Sequence, residues 1–435
     1  MVHREGYPLR HVPQTRGLER LTGDAFRRHL EQELLPSIDR HVASPRCAGE
    51  KPQLLIYIHG GLTSHAQALK YVEEMVDPET GCLRGTSFYP IFLIWDASFR
   101  NAWWDDMVEI RLGERRAAWW WQPLEWLTAP FRFTHRLASG LILMPETWLY
   151  MADLTIAEIL VEEPEPDEHL PTQEKIASGV RFGLTLPSKV LTLPVISGFG
   201  TSAWEMMNRH IELMFAAAPD QGAARIFFET LRKRMPKPGV WHAPDSAGGP
   251  GVTRPVEILL VAHSMGAIAA NRILSEFPEM QFDRIVYLGA AASIVDTRHG
   301  VGSYLFRHEN AWFYSFSLAH TDEGGEVSYW DLTPRGSLLV WIEILFEPPT
   351  WVGQRRVGWW RNAKRFVVDP TVCPRVVLVK YGTTDGSPRA HGEFNDNGKL
   401  QHSLGVATPL PNACTCVNGH PCERRMTVTG GGGRR

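Results

Sequence analysis

The segment that most constrains this chain joins an apolar run to a helical stretch through a serine between two small residues. Residues 256–261 are an apolar run that predicts a buried strand, and residues 267–277 carry the small and apolar residues of a helix. Ala262 and Gly266, two positions either side of Ser264, allow a tight turn between them. The pattern therefore predicts a serine hydroxyl at a helix N-terminus, where backbone N–H groups favour negative charge.

Further apolar runs on both sides of this segment predict a parallel sheet. The run Gln53–Ile58 leads into a glycine turn, a helical pattern covers Ser64–Val76, and a second run covers Tyr89–Trp95. Later runs with strand character are Arg284–Leu288, Ala311–Phe316 and Arg375–Tyr381. Strands that alternate with helical segments indicate an α/β fold, with a mostly parallel central sheet and flanking helices.

A histidine-glycine turn follows the first of these strands, at His59-Gly60-Gly61. A nucleophilic serine needs two backbone donors for the negative charge that develops on the attacked carbonyl oxygen. One donor would be the N–H group of Met265, and the other that of Gly61 or Leu62. The alternative is that the glycines only shape the end of the strand.

These two motifs together resemble the α/β-hydrolase superfamily, in particular its lipases and esterases. The family pattern is glycine-any-serine-any-glycine after a strand, and here Ala262 stands where the first glycine is usual. The resemblance covers roughly residues 53–98 and 255–400. It implies a serine hydrolase that cleaves an ester of a hydrophobic acyl substrate through an acyl-enzyme on Ser264, without a cofactor. Thioester, amide and acyl-transfer chemistry would use the same residues and are the alternatives.

The resemblance also implies where the other catalytic residues lie, because the family order is nucleophile, acid, histidine. His391 follows the last core strand and is the predicted general base, with His402 in reserve. Asp322 follows the preceding strand and is the predicted acid. Glu323 beside it and Asp296 after an earlier strand are alternatives.

One further histidine, His263, directly precedes the predicted nucleophile. Because neighbouring side chains at a sharp turn diverge, we expect His263 to pack or hydrogen-bond locally and not to act as the base. A surface location for His391 and a turn-capping role for Asp322 are the alternatives to the catalytic interpretation.

The rest of the chain divides around this core. The predicted parts are a lead-in at 1–50, a core at 51–97 and 251–402, a helical insertion at 98–250, a second insertion at 323–372 and a flexible tail at 403–435. The first insertion is rich in tryptophan, with Trp103, Trp104, Trp119, Trp120, Trp121, Trp126 and Trp148. It is interpreted either as a second hydrophobic core or as a lid that contacts substrate or a membrane surface.

The charge and the hydropathy of the chain limit the classes of binding partner that we expect. With 45 basic and 48 acidic residues, the net charge of −3 gives no reason to expect nucleic acid. No run of 18 uncharged apolar residues occurs, so a spanning helix is not expected. The expected partner is a small-molecule or lipid-like ester, with peripheral membrane contact through the insertion as a second hypothesis.

The N-terminus has no apolar segment of the secretory kind, which predicts a cytoplasmic location and free thiols. Cys414, Cys416, His420 and Cys422 are close enough to bind zinc, but their spacing is not a recognised zinc motif, so no metal is predicted. The competing function is a non-catalytic or membrane-associated interaction protein that retains the same fold.

Overall fold

The computed structural model describes residues 1–44, 51–106, 183–244 and 251–407, apart from gaps at 4, 13–16, 84–85, 218–220, 327–330, 367–369 and 382–387. It also describes residue 180, several short pieces between 110 and 142, and residues 422–426. The tryptophans from Trp119 to Trp148 lie outside the described residues.

Six parallel strands form the central sheet, and a short seventh strand pairs with one edge. They are β1 (Gln53–Ile58), β2 (Phe88–Leu93), β3 (Glu257–His263), β4 (Arg284–Leu288), β5 (Trp312–Ser317), β6 (Val376–Tyr381) and β7 (Cys422–Met426). Their spatial order is β2-β1-β3-β4-β5-β6-β7. The α/β class predicted from the alternating patterns is therefore confirmed.

Helices lie before β1, between the strands and after β6. They are α1 (Gly23–His29), α2 (Leu35–Ala43), α3 (His65–Val76), α4 (Phe99–Trp104), α5 (Leu186–Met214), α6 (Ala223–Arg232), α7 (Gly266–Glu276), α8 (Ile294–Thr297), α9 (Ser303–Arg307), α10 (His320–Gly325), α11 (Leu338–Trp341), α12 (Trp360–Ala363) and α13 (Asn397–Val406). Two-stranded hairpins pair Leu9–Val12 with Gly17–Arg20, Ile110–Arg111 with Glu114–Arg115, and Val240–Ala243 with Val252–Pro255.

Strand β3 is buried on both faces, as expected for a central strand of a parallel sheet. Leu259 and Val261 pack into the hydrophobic cluster on one face, and Leu260 and Ala262 pack into the cluster on the other. The strand order reverses between β1 and β3, because β2 lies on one side of β1 and the later strands lie on the other. Open α/β sheets bind ligands at such a reversal, beyond the carboxyl ends of the strands.

The described part of the first insertion packs tightly on the second. Helix α5 lies against the π-helical turn Ile342–Phe346, where a Cβ added to Gly200 would fall 1.8 Å from the Phe346 ring. Trp204 on the same helix is buried. Helix α5 is therefore packed against the second insertion, and whether the insertion as a whole is additional core or a lid stays a prediction. Among the described helices, none combines the length and the apolar character of a membrane span.

Within the C-terminal segment predicted as a flexible tail, residues 403–435, residues 422–426 form β7 and pair in parallel with β6. The sequence Cys-Glu-Arg-Arg-Met lacks an apolar pattern, and the pairing is through backbone groups. Cys373 is disulfide-bonded, whereas Cys82 is a free thiol, so the prediction of free thiols is wrong at Cys373.

Candidate active site

Ser264 occupies a strained turn between β3 and α7. Its φ of 50° lies in the left-handed region, which a residue with a side chain rarely adopts. Backbone bonds hold the turn, because the Ser264 N–H group donates to the Leu288 carbonyl at 2.8 Å and the Ala291 N–H group donates to the Ser264 carbonyl at 3.0 Å. A Cβ at Gly266 would fall 2.6 Å from the Ile58 carbonyl oxygen, so the close approach of α7 to β1 requires glycine there.

The glycine turn after β1 lies directly against this elbow. A Cβ added to Gly60 would fall 2.9 Å from the Ser264 Cβ, and one added to Gly61 would fall 3.5 Å from the Met265 Cβ. Leu62 also has a positive φ, of 62°. Among the described residues, the backbone N–H groups of Gly61, Leu62 and Met265 have no hydrogen-bond acceptor. Free donors beside a serine can bind an anionic oxygen.

His59 fixes the start of the glycine turn. Its Nε2 accepts a hydrogen bond from the Trp95 N–H group at 3.1 Å, so its Nδ1–H donates to the Gly60 carbonyl at 2.7 Å. Burial lowers the pKa of His59 to about 4. The ring is therefore neutral near pH 7 and acts as a structural link between the turn and the end of β2.

The structure brings His391 to Ser264, across 127 residues of sequence. His391 begins the 3₁₀ helix His391–Asn395 that follows β6, and its Nε2 lies 2.9 Å from the Ser264 hydroxyl oxygen. The hydroxyl can donate to this nitrogen when the ring proton is on Nδ1. Both side chains are buried, with 2% of Ser264 and 4% of His391 exposed. This geometry suits removal of the hydroxyl proton by the imidazole.

The carboxylate beside the ring is that of Glu323, and the structure does not bring the predicted Asp322 to this position. The Glu323 Oε1 lies 3.6 Å from the His391 Nδ1, and its Oε2 accepts a hydrogen bond from the Ser337 hydroxyl. Both residues lie on α10, where consecutive side chains point about 100° apart, so only one of them faces the ring. Glu323 is fully buried.

The contact between Glu323 and His391 is longer than a hydrogen bond. Within the described residues, neither the Glu323 Oε1 nor the His391 Nδ1 has another hydrogen-bond partner. Two buried polar atoms that face each other across 3.6 Å can form a hydrogen bond after a small movement, and hydrogen bonds of this kind are often long before substrate binds.

Space for the imidazole comes from Gly289, just after β4. Its φ of +51° suits glycine, and a Cβ there would fall 2.8 Å from the Cε1 of His391. The reserve candidates lie elsewhere: His402 is exposed on α13, and Asp296 accepts a hydrogen bond from the Ser293 hydroxyl at 2.6 Å. Gly289 and His391 are far apart in the sequence, so the sequence alone does not show that the His391 ring requires a glycine at position 289.

Two residues that the sequence did not mark as functional contact the backbone of His391. The Nε2–H group of His263 donates to the His391 carbonyl at 3.2 Å, so His263 contacts a residue distant in sequence and not only its neighbours. The His391 N–H group donates to the Glu326 carboxylate, also at 3.2 Å. Both contacts join segments far apart in sequence, which no local pattern indicates.

Among the described residues, no group of three or more potential metal ligands occurs. The cysteine and histidine cluster at 414–422 lies outside the described residues except for the backbone of Cys422.

Comparisons of the chain with protein-family models, curated proteins and solved structures find no match.

Proposed function

We propose that this chain is a serine hydrolase of the α/β-hydrolase type, in which Ser264 is the nucleophile, His391 the general base and Glu323 the acid. The observation that carries the proposal is the 2.9 Å contact between the strained Ser264 and His391. The order serine, glutamate, histidine along the chain agrees with the order in that superfamily. Glu323 takes the role that the sequence assigned to Asp322.

In the proposed reaction, the Ser264 oxygen attacks an ester carbonyl carbon while its proton moves to the Nε2 of His391. The carbonyl oxygen becomes negatively charged and accepts hydrogen bonds from the N–H groups of Met265 and of Gly61 or Leu62. Collapse of this intermediate breaks the bond to the alcohol, which takes the proton from His391. Water, deprotonated by the same nitrogen, then attacks the acyl-enzyme, and the acid is released as Ser264 regains its proton.

We propose a hydrophobic acyl group for the substrate. The side chains that contact the glycine turn support this, because the sulfur atoms of Met265 and Met207 lie 3.3 and 3.5 Å from a Cβ built on Gly61. Methionine side chains adapt to apolar groups of different shape. Leu62, 37% exposed on the same turn, adds apolar surface beside the nucleophile.

Hydrolysis of p-nitrophenyl esters with acyl chains of two to twelve carbons tests this function. We expect turnover that rises with chain length and is lost in Ser264→Ala and His391→Gln. Ser275→Ala is the matched control, because it removes a serine hydroxyl on α7 that donates to the Asn271 carbonyl of the same helix at 2.9 Å. Equal turnover in wild type and Ser264→Ala would contradict the proposal.

A second candidate function is the membrane-associated interaction protein, and one surface favours it. Leu184, Leu191 and Val195 recur at helical spacing and are strongly exposed, and Lys189 between them is turned inward and buried. Flotation with phosphatidylcholine vesicles tests it: wild type would float and Leu184→Glu/Leu191→Glu would not. Val252→Glu changes an exposed apolar residue in the hairpin of Val240–Ala243 with Val252–Pro255 and serves as the control. Absence of wild-type flotation would remove this candidate.

A further inference from the structure

We infer that His263 and Glu326 are positioning residues that hold the backbone of His391 from both sides and so set its distance from Ser264. This inference rests on the proposed function. The His391 carbonyl accepts a hydrogen bond from the Nε2 of His263, and the His391 N–H group donates to the Glu326 Oε2, each at 3.2 Å. Both peptide groups of the general base are thus bonded to side chains of other segments.

His263 is suited to this role because it directly precedes the nucleophile. Its side chain leaves the same elbow that carries Ser264 and ends at the backbone of His391, with the two imidazole rings 5.4 Å apart. The ring is 5% exposed, and burial lowers its pKa to about 3. A neutral ring gives a steady N–H donor and places no positive charge beside the imidazolium that forms on His391 during the reaction.

Glu326 reaches the other side of His391 from the segment that carries the acid. Glu323 faces the ring, and Glu326, at the C-terminal end of α10, accepts from the backbone. Burial raises the pKa of Glu326. The Gly336 N–H group donates to the Glu326 carbonyl at 2.9 Å, which fixes this end of the segment. One segment therefore positions both the ring and the main chain of the base.

The expected effect follows from the sensitivity of proton transfer to distance. A displacement of the base by about 1 Å costs about 10²-fold in rate. His391 begins a short 3₁₀ helix in the connection that follows β6, and such connecting segments move more than strands unless other groups hold them. Loss of either backbone contact is thus expected to reduce the rate of the chemical step and to leave binding of the apolar part of a ligand unchanged.

The experiment measures inactivation of the full chain by a fluorophosphonate, separated into the maximal rate kinact and the half-saturating concentration KI. We expect kinact to fall about tenfold to a hundredfold in His263→Phe and Glu326→Leu, with KI unchanged. His263→Gln and Glu326→Gln retain a donor and an acceptor at similar positions, and we expect them to recover most of kinact. His308→Phe is the matched control, because His308 also bonds a backbone carbonyl, that of Pro278, at 2.6 Å.

A second readout does not depend on reactivity: exchange of the His391 backbone amide hydrogen. We expect faster exchange in Glu326→Leu and His263→Phe than in wild type, and no change in His308→Phe. If His263→Phe and Glu326→Leu both keep the wild-type kinact, or if His308→Phe shows the same loss, the inference is overturned and the proposed function stays intact. If wild-type protein does not react, the proposed function fails, and unchanged amide exchange in the two variants would overturn the positioning role separately.

Discussion

At the scale of single residues, the sequence offers two residues of the same chemical type for the acid and for the base that we propose. Asp322 and Glu323 are adjacent carboxylates after β5, and the turn of α10 decides which of them faces His391. Likewise His263 and His391 are both histidines near Ser264, but only the Nε2 of His391 lies against the hydroxyl oxygen. The chemistry is therefore determined by side-chain direction at each of these positions.

The pair of carboxylates provides a direct comparison. We predict that Glu323→Gln lowers kcat/KM by about 10²- to 10⁴-fold, because an amide stabilises neither the reactive tautomer nor the imidazolium. Asp322→Asn, the matched control, should stay within about twofold of wild type, since it alters a side chain that does not face the ring. Ester turnover measures both, and the opposite order of effects would return the acid role to Asp322.

Acid sensitivity follows from the buried histidines. Burial lowers the pKa of His59 to about 4 and that of His263 to about 3, whereas an unfolded histidine titrates near 6.5. The unfolded chain therefore binds more protons between these values, and stability falls as pH falls below about 6.5. Each ring is expected to remove about 2 kcal/mol of unfolding free energy between pH 7 and pH 5.

Urea unfolding of wild type and His59→Asn at the two pH values tests this prediction. The variant loses one buried titratable ring, so its loss of stability between pH 7 and pH 5 should be smaller than that of wild type by about 2 kcal/mol. Identical losses in the two proteins would mean that His59 is not buried in its neutral form.

At the scale of secondary-structure elements, the positions where strands end restrict the choice of residue more than positions within the strands do. The approach of the His391 loop to the end of β4 depends on Gly289, where a Cβ would fall 2.8 Å from the ring. We predict that Gly289→Ala lowers kcat by about tenfold to a hundredfold, because the added methyl displaces the base and the φ of +51° becomes strained.

Gly302→Ala is the control for that change, since a Cβ at Gly302 would meet nothing within 4 Å. It should retain wild-type kcat in the same ester assay. Full activity in Gly289→Ala would show that the loop carrying His391 tolerates displacement, contrary to the tight packing observed there.

Some of these elements can be predicted from the sequence alone, and others cannot. Apolar runs and a serine between the small residues Ala262 and Gly266 predict the parallel sheet and the turn at Ser264, because burial and tight turns leave strong local patterns. Whether Glu323 or Asp322 faces His391 depends on the rotation of α10. The sequence places both residues only after a strand, so it does not distinguish between them. The pairing of β7 with β6 and the contacts of His263 and Glu326 join distant segments, so no local pattern marks them.

At the scale of the whole molecule, the two insertions are fixed to each other and to the segment that carries the acid. The Lys189 ammonium on α5 lies 2.8 Å from the Asp331 carboxylate, and both are almost fully buried. Arg335 also pairs with Asp331, while Ser337 bonds Glu323. Helix α5 therefore contacts, through the ion pair of Lys189 with Asp331, the same segment whose Ser337 hydroxyl bonds the Glu323 carboxylate.

We predict that Lys189→Met lowers the unfolding free energy by about 3 kcal/mol, because removal of one partner leaves a buried charge with fewer compensating groups. Lys233→Met is the control: its ion pair with Glu31, at 3.6 Å, is largely exposed and should contribute less than about 1 kcal/mol, as surface pairs do. Urea unfolding measures both, and equal effects would mean that the buried pair does not fix α5.

The most direct measurement of the central claim is mass spectrometry of the chain after reaction with a fluorophosphonate. We expect one phosphonyl group per chain, on the peptide that contains Ser264, with the reaction lost in Ser264→Ala and strongly slowed in His391→Gln. Folded wild-type protein that stays unmodified, or that carries the group on another residue, would contradict the proposal that Ser264 and His391 form a nucleophile and its base.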